Sequence, residues 1–139
     1  MKKMISLALV IVLMCTTLSV CFAETPSMRS SNYFHSYGTN MRDAGNGVLS
    51  ITFSCVGMGV CSQLGVATYS VQRLEDNGNW TDVSGLLNGQ TGSNVAAYAF
   101  GRYFYGVSGE TYRVNVTFYC ALNGGCEFKS YTSASITLD

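Results

Sequence analysis

The chain has 139 residues, with eight basic and eight acidic side chains and only 12% charged residues in all. No basic stripe or patch breaks this balance, which argues against nucleic acid and against an anionic membrane surface as partners. The length fits one domain with a real core and is too short for two.

Lys2 and Lys3 precede an almost wholly apolar run from Ile5 to Val20, and Cys21-Phe-Ala23 supplies the small residues of a cleavage site before Glu24. The run is about 16 residues, short of the roughly 20 that a stable membrane span needs. Residues 1–23 therefore read as an export signal, and the mature protein as secreted, with no stable membrane span after cleavage. Leu18-Ser-Val-Cys21 also resembles a bacterial lipobox, although Val20 stands where a small residue is usual, so a lipid anchor at Cys21 is the alternative. Residues 24–32 are polar, hold the only proline, and are expected to form a flexible leader.

From there period-two alternation and turn residues dominate, with no sustained helical period. Strands are predicted over Tyr33–Met41, Gly47–Cys55, Leu64–Leu74, Trp80–Leu86, Val95–Tyr105, Glu110–Cys120 and Glu127–Leu138. Turn signals separate several of them, among them Asp43-Ala-Gly-Asn-Gly47, Asp76-Asn-Gly-Asn79 and Asn123-Gly-Gly125. About seven short strands at such spacing predict a single all-β antiparallel sandwich over residues 33–139. Alternation also assigns the faces. Tyr112, Val114, Val116, Phe118 and Cys120 should point inward from one strand, and Leu49, Ile51, Phe53 and Cys55 from another.

Of six cysteines, Cys15 and Cys21 belong to the signal. The other four repeat one spacing, Cys55 with Cys61 and Cys120 with Cys126. Export makes disulfides the expectation, and four cysteines allow three connectivities. Five intervening residues are wider than the two to four of most structural zinc sites.

Gly109-Glu-Thr-Tyr112-Arg-Val-Asn-Val-Thr-Phe118, followed by Ala121-Leu-Asn-Gly-Gly125, resembles the sixth strand and following turn of a fibronectin type III domain, an immunoglobulin-like sandwich. The resemblance covers about 20 residues, and the family's proline is replaced by Ser108. The whole chain also looks like small exported proteins of Gram-positive bacteria. The resemblance implies that Tyr112 is a tyrosine corner, its ring in the core and its hydroxyl bonded to nearby backbone. It further implies that the second and sixth strands run the same way, so the two cysteine segments emerge as neighbouring loops at one end. Short rings, 55–61 and 120–126, are then the expected bridges, since Cys120 and Cys126 would face each other across a five-residue hairpin.

Catalytic constellations are not legible. His35 is the single histidine, and neither a Gly-x-Ser-x-Gly elbow nor a His-Glu-x-x-His pair occurs. Most of the carboxylates fall at turns or strand ends. The expectation is a non-enzymatic binding module without cofactor or metal. An extracellular protein is the favoured partner, bound through Met58, Val60, Leu122 and Asn123 in the cysteine loops. The alternative is a glycan stacked on exposed tyrosines, Tyr103 and Tyr105 with Tyr119 nearby, and a further one is a self-assembling surface protein.

Overall fold

The computed structural model describes residues 31–139. The expected export signal, Cys15, Cys21 and most of the expected leader lie outside the described residues. The end of the leader does not: Ser31 Oγ accepts the backbone N–H groups of Tyr33 at 3.1 Å and Phe34 at 2.8 Å, and donates to the Glu127 carboxylate. Ser31 is thus tied to the first strand and to Glu127.

Among the described residues the protein is entirely β, in eight strands: β1 (Phe34–Asp43), β2 (Val48–Leu74), β3 (Trp80–Asp82), β4 (Leu87–Asn88), β5 (Thr91–Tyr105), β6 (Thr111–Leu122), β7 (Gly125–Thr132) and β8 (Ile136–Thr137). All pairings are antiparallel, and every strand belongs to one sheet with β2 at its centre. The first part of β2 lies between β1 and β5, and the last part pairs with β6, β3 and β4.

The sheet is curled so that its inner face meets itself. On a straight strand Phe53 and Tyr69 would stand about 50 Å apart, yet their ring centroids are 4.9 Å apart. Tyr37 of β1 reaches Phe118 of β6 at 5.3 Å, and Phe104 of β5 reaches Tyr112 of β6 at 5.6 Å. The bend sits at the register break between Val56 and Cys61, where β2 carries three residues more than β5 does between Ala97 and Val95. Bulges and bends of this kind are how a strand turns the corner from one arm of a folded sheet to the other. A second bulge at Ala67, between the Val66–Phe118 and Thr68–Thr117 pairs, resets which side chains of β2 face inward.

The core lies between the two arms. Leu49, Ile51, Phe53, Cys55, Leu64, Val66 and Val71 come from β2, and Tyr112, Val114, Val116, Phe118 and Cys120 from β6. Leu49 to Cys55 and Tyr112 to Cys120 are the inward sets that alternation predicts, and Leu64, Val66 and Val71 extend them beyond the corner. Each buried aliphatic or aromatic contributes roughly 1.5–3 kcal/mol, so this face is the main source of stability.

Of the predicted boundaries that change, three redirect the chain. The strands expected over Gly47–Cys55 and Leu64–Leu74 are one continuous element, because the glycine-rich stretch between them keeps backbone partners: Gly57 pairs with Phe34, and Met58 N–H donates to the Tyr33 carbonyl at 2.8 Å. The strand expected over Trp80–Leu86 stops at Asp82, whose carboxylate accepts the N–H groups of Ser84 and Gly85 and turns the chain. Trp80 is held by the Arg113 guanidinium 4.2 Å over its ring. The last strand is split at Ser133, which exchanges hydrogen bonds with the backbone of Val114 and directs β8 onto the start of β6.

Candidate functional site: the cysteine end of the sheet

At the far end of β6 the chain reverses through Asn123 (φ 52°) and Gly124 (φ 79°) into β7. Two consecutive left-handed residues make the tight two-residue turn that Asn-Gly favours, and Leu122 pairs directly with Gly125. The register then sets Ala121 opposite Cys126 and Cys120 opposite Glu127. Cys120 points into the core and is fully buried, whereas Cys126 is exposed on the outer face. The expected 120–126 ring is incompatible with this register, since its two side chains leave opposite faces of the sheet. The expectation assumed a five-residue loop where the turn holds two.

The partner within reach of Cys120 is Cys61 on the neighbouring strand, with Sγ atoms 3.1 Å apart. Cys61 is fully buried, and its thiol occupies the space that a side chain at Gly57 would need. Cys55 belongs to the same buried corner but turns its thiol toward the Tyr98 carbonyl at 3.6 Å. The geometry therefore favours neither short ring. Burial first, and then neighbouring Cys61, raise the Cys55 thiol to about 11. Burial, with the hydrogen bond to Cys61 next, pushes Cys120 up to about 12. In the folded chain these thiols stay protonated and are poor nucleophiles.

The two cysteine segments do lie side by side, as a corner and a hairpin. A side-chain carbon at Gly59 would touch Leu122 Cδ1 at 3.9 Å. Around this contact Met58 is 57% and Val60 66% exposed, Leu122 is half-buried, and Asn123 is exposed at the turn. The Tyr33 hydroxyl packs against Gly125 from just before β1. The result is an apolar tip formed from three chain segments, rigidly backed by the thiol corner.

The aromatic expectation divides. Tyr103 and Tyr105 project outward from β5, 69% and 80% exposed. Alternate residues of a strand stand about 7 Å apart on one face, so these two form a small platform. Tyr119 is not near them. It pairs with Gly65, which lies opposite Thr91 at the other end of β5, and it packs on Phe128 of β7 at 4.8 Å. Phe128, 58% exposed, was not singled out in the sequence, although its place opposite Tyr119 follows once the two-residue turn is recognised.

At the opposite end of β6 the Tyr112 ring is buried and its hydroxyl accepts the Val107 N–H at 2.9 Å. Nearby, Asp43 accepts the N–H groups of Asp139 and Gly45, each at 2.8 Å, and these bonds hold its carboxyl below the usual range. His35 is exposed. A hollow of about 330 Å³ on the outer side is lined by hydroxyl, amide and apolar groups, including Thr68, Leu86, Asn115, Thr117 and Ser130. Among the described residues no three His, Cys, Asp or Glu side chains are placed to hold a metal ion.

No family model matches the chain, and no curated protein does. Among solved structures it is similar to a protein from Archaeoglobus fulgidus known from its crystal structure, with a TM-score of 0.41 and 12% identity, over 76% of this chain and 98% of that one.

Proposed function

We propose that this protein is an exported, non-enzymatic β-sandwich module of the fibronectin III or immunoglobulin-like kind, and that it binds an extracellular protein through its apolar tip. The observation that carries the reading is the tip itself. Met58 and Val60 are more than half exposed, beside Leu122. Flexible methionine and branched aliphatics in solvent form the kind of small patch that protein partners cover, and a rigid backing lowers the ordering cost of binding. The sandwich reading draws on the ring contacts between the two arms and on the Tyr112 hydroxyl bond to backbone five residues upstream. The test uses a partner identified by crosslinking to the secreted protein. A Met58→Ser, Val60→Ser double variant with unchanged circular dichroism should bind that partner at least about tenfold more weakly, the loss typical of a central apolar anchor. Undiminished binding would remove the tip from the interface.

The exposed Tyr103 and Tyr105 favour a second reading, stacking on a glycan. Affinity electrophoresis in gels containing cell-wall or host polysaccharides should then retard the protein, and Tyr105→Ser should abolish the retardation.

A further inference from the structure

Four cysteines and two expected rings leave open how the protein is crosslinked, and the folded geometry answers differently from the spacing. Cys61 and Cys120 are both fully buried, sit on neighbouring strands at the folded sheet's corner, and bring their sulfurs to 3.1 Å. Their strands are paired: Leu64 of β2 stands opposite Cys120, and Gln63 opposite Ala121. The extra residues of the β2 corner swing Cys61 inward, and the absence of a side chain at Gly57 gives its sulfur room. Cys55 faces the Tyr98 carbonyl, and Cys126 lies on the other face.

We infer that Cys61 and Cys120 are a modification site: they form a single long-range disulfide that ties the β2 corner to the end of β6, leaving Cys55 as a buried thiol and Cys126 as an exposed one. The oxidant is a low-molecular-weight disulfide, for instance oxidised glutathione. One cysteine thiolate attacks it, forming a mixed disulfide and releasing one thiol. The second cysteine thiolate then displaces the other thiol, so two protein thiols lose two electrons and two protons while one external disulfide becomes two thiols. The exchange takes place before the corner closes, because in the folded chain both sulfurs are out of solvent and Cys120 is held protonated. This inference does not depend on the binding reading, and the experiment below measures no partner.

The full chain is produced by export and refolded in a reduced–oxidised glutathione buffer. It is then alkylated natively with one maleimide and, after denaturation, with a second of different mass before peptide mapping. The expected map links Cys61 to Cys120, with the first label on Cys126 and the second on Cys55. A bridge 55–61 or 120–126, any bridge joining Cys55 to Cys120, or four alkylated cysteines would overturn the assignment. Reduction supplies the second arm. The bond closes a loop of about 60 residues, so dithiothreitol should lower Tm by roughly 15 °C in the wild type. It should not change the Tm of Cys61→Ala or Cys120→Ala. An equal loss on reduction in those variants would place the stabilising bond elsewhere, and if neither variant folds the wild-type map decides alone.

Discussion

The two ends of β6 are secured by different chemistry. At its start the Tyr112 hydroxyl, the Asp43 carboxylate and the backbone of Val107, Gly109 and Leu138 form a set of hydrogen bonds among residues at the chain's turns and terminus. At its other end the fastening is sulfur in a dry corner, with exposed aliphatic side chains just outside it. The hydrogen-bonded end ties down the backbone of its turns, while Tyr105 and Val107 stay exposed beside it. The thiol contact itself uses no charge, and the polar group of Ser31, Glu127 and Lys129 lies along β7 beside it. A hydrogen-bonded fastening and a sulfur fastening are thus specified within one strand of 12 residues.

The comparison can be broken from either side. The largest effect is expected at the hydrogen-bonded end. Tyr112→Ala should cost about 3–5 kcal/mol, as truncation of a buried aromatic does. Tyr112→Phe keeps the ring and should cost about 0.5–1.5 kcal/mol by removing the bond from the Val107 N–H. Urea titration measures both, and a neutral Tyr112→Phe would show that the hydroxyl bond does not secure this end. A smaller effect is expected at the thiol end, under reducing conditions. Above pH 9 the unfolded thiols ionise while folded Cys55 and Cys120, raised to about 11 and about 12, keep their protons. The native state then binds more protons than the unfolded one, so stability falls from pH 9 up to about 12. Oxidation of Cys61 and Cys120 should remove the Cys120 part of that slope. The smallest effect concerns Asp43. Its carboxyl lies below its unfolded value, so its contribution is full above about pH 4 and disappears as pH falls through the folded value. Asp43→Asn should flatten the acid limb of a Tm–pH profile there and nowhere else.

Much of this architecture could be read from the chain. Alternation in Tyr112–Cys120 and Leu49–Cys55 identified both inward faces, because each strand has one wet side and one dry side. The neighbourhood of the two cysteine segments followed from a resemblance over about 20 residues. What escaped was register. Val56-Gly-Met-Gly-Val60 reads as a loop by composition, and backbone partners at Tyr33 and Phe34 keep it hydrogen-bonded through a corner. Asn123-Gly124 did carry the signal for a two-residue turn. Applying it would have set Cys126 opposite Ala121, separated it from Cys120 and brought Phe128 to Tyr119. The Cys61–Cys120 approach depends on the Val56–Cys61 bulge, whose three surplus residues no periodicity could count. The separation of Tyr119 from Tyr103 is likewise a matter of which end of β5 meets Gly65.

Since β2 supplies the middle strand of both arms, neither arm possesses a complete set of partners without the other. Pulling β2 out of one removes the ladder on which the second is built. The domain should therefore lack separable folding units: hydrogen exchange in β1, β5 and β6 should report one shared opening free energy, and cutting the chain at the corner should yield two fragments that fold only together. Pairings this distant in sequence also form late, so folding should be slow for a chain of this size, with few stable partial structures on the way.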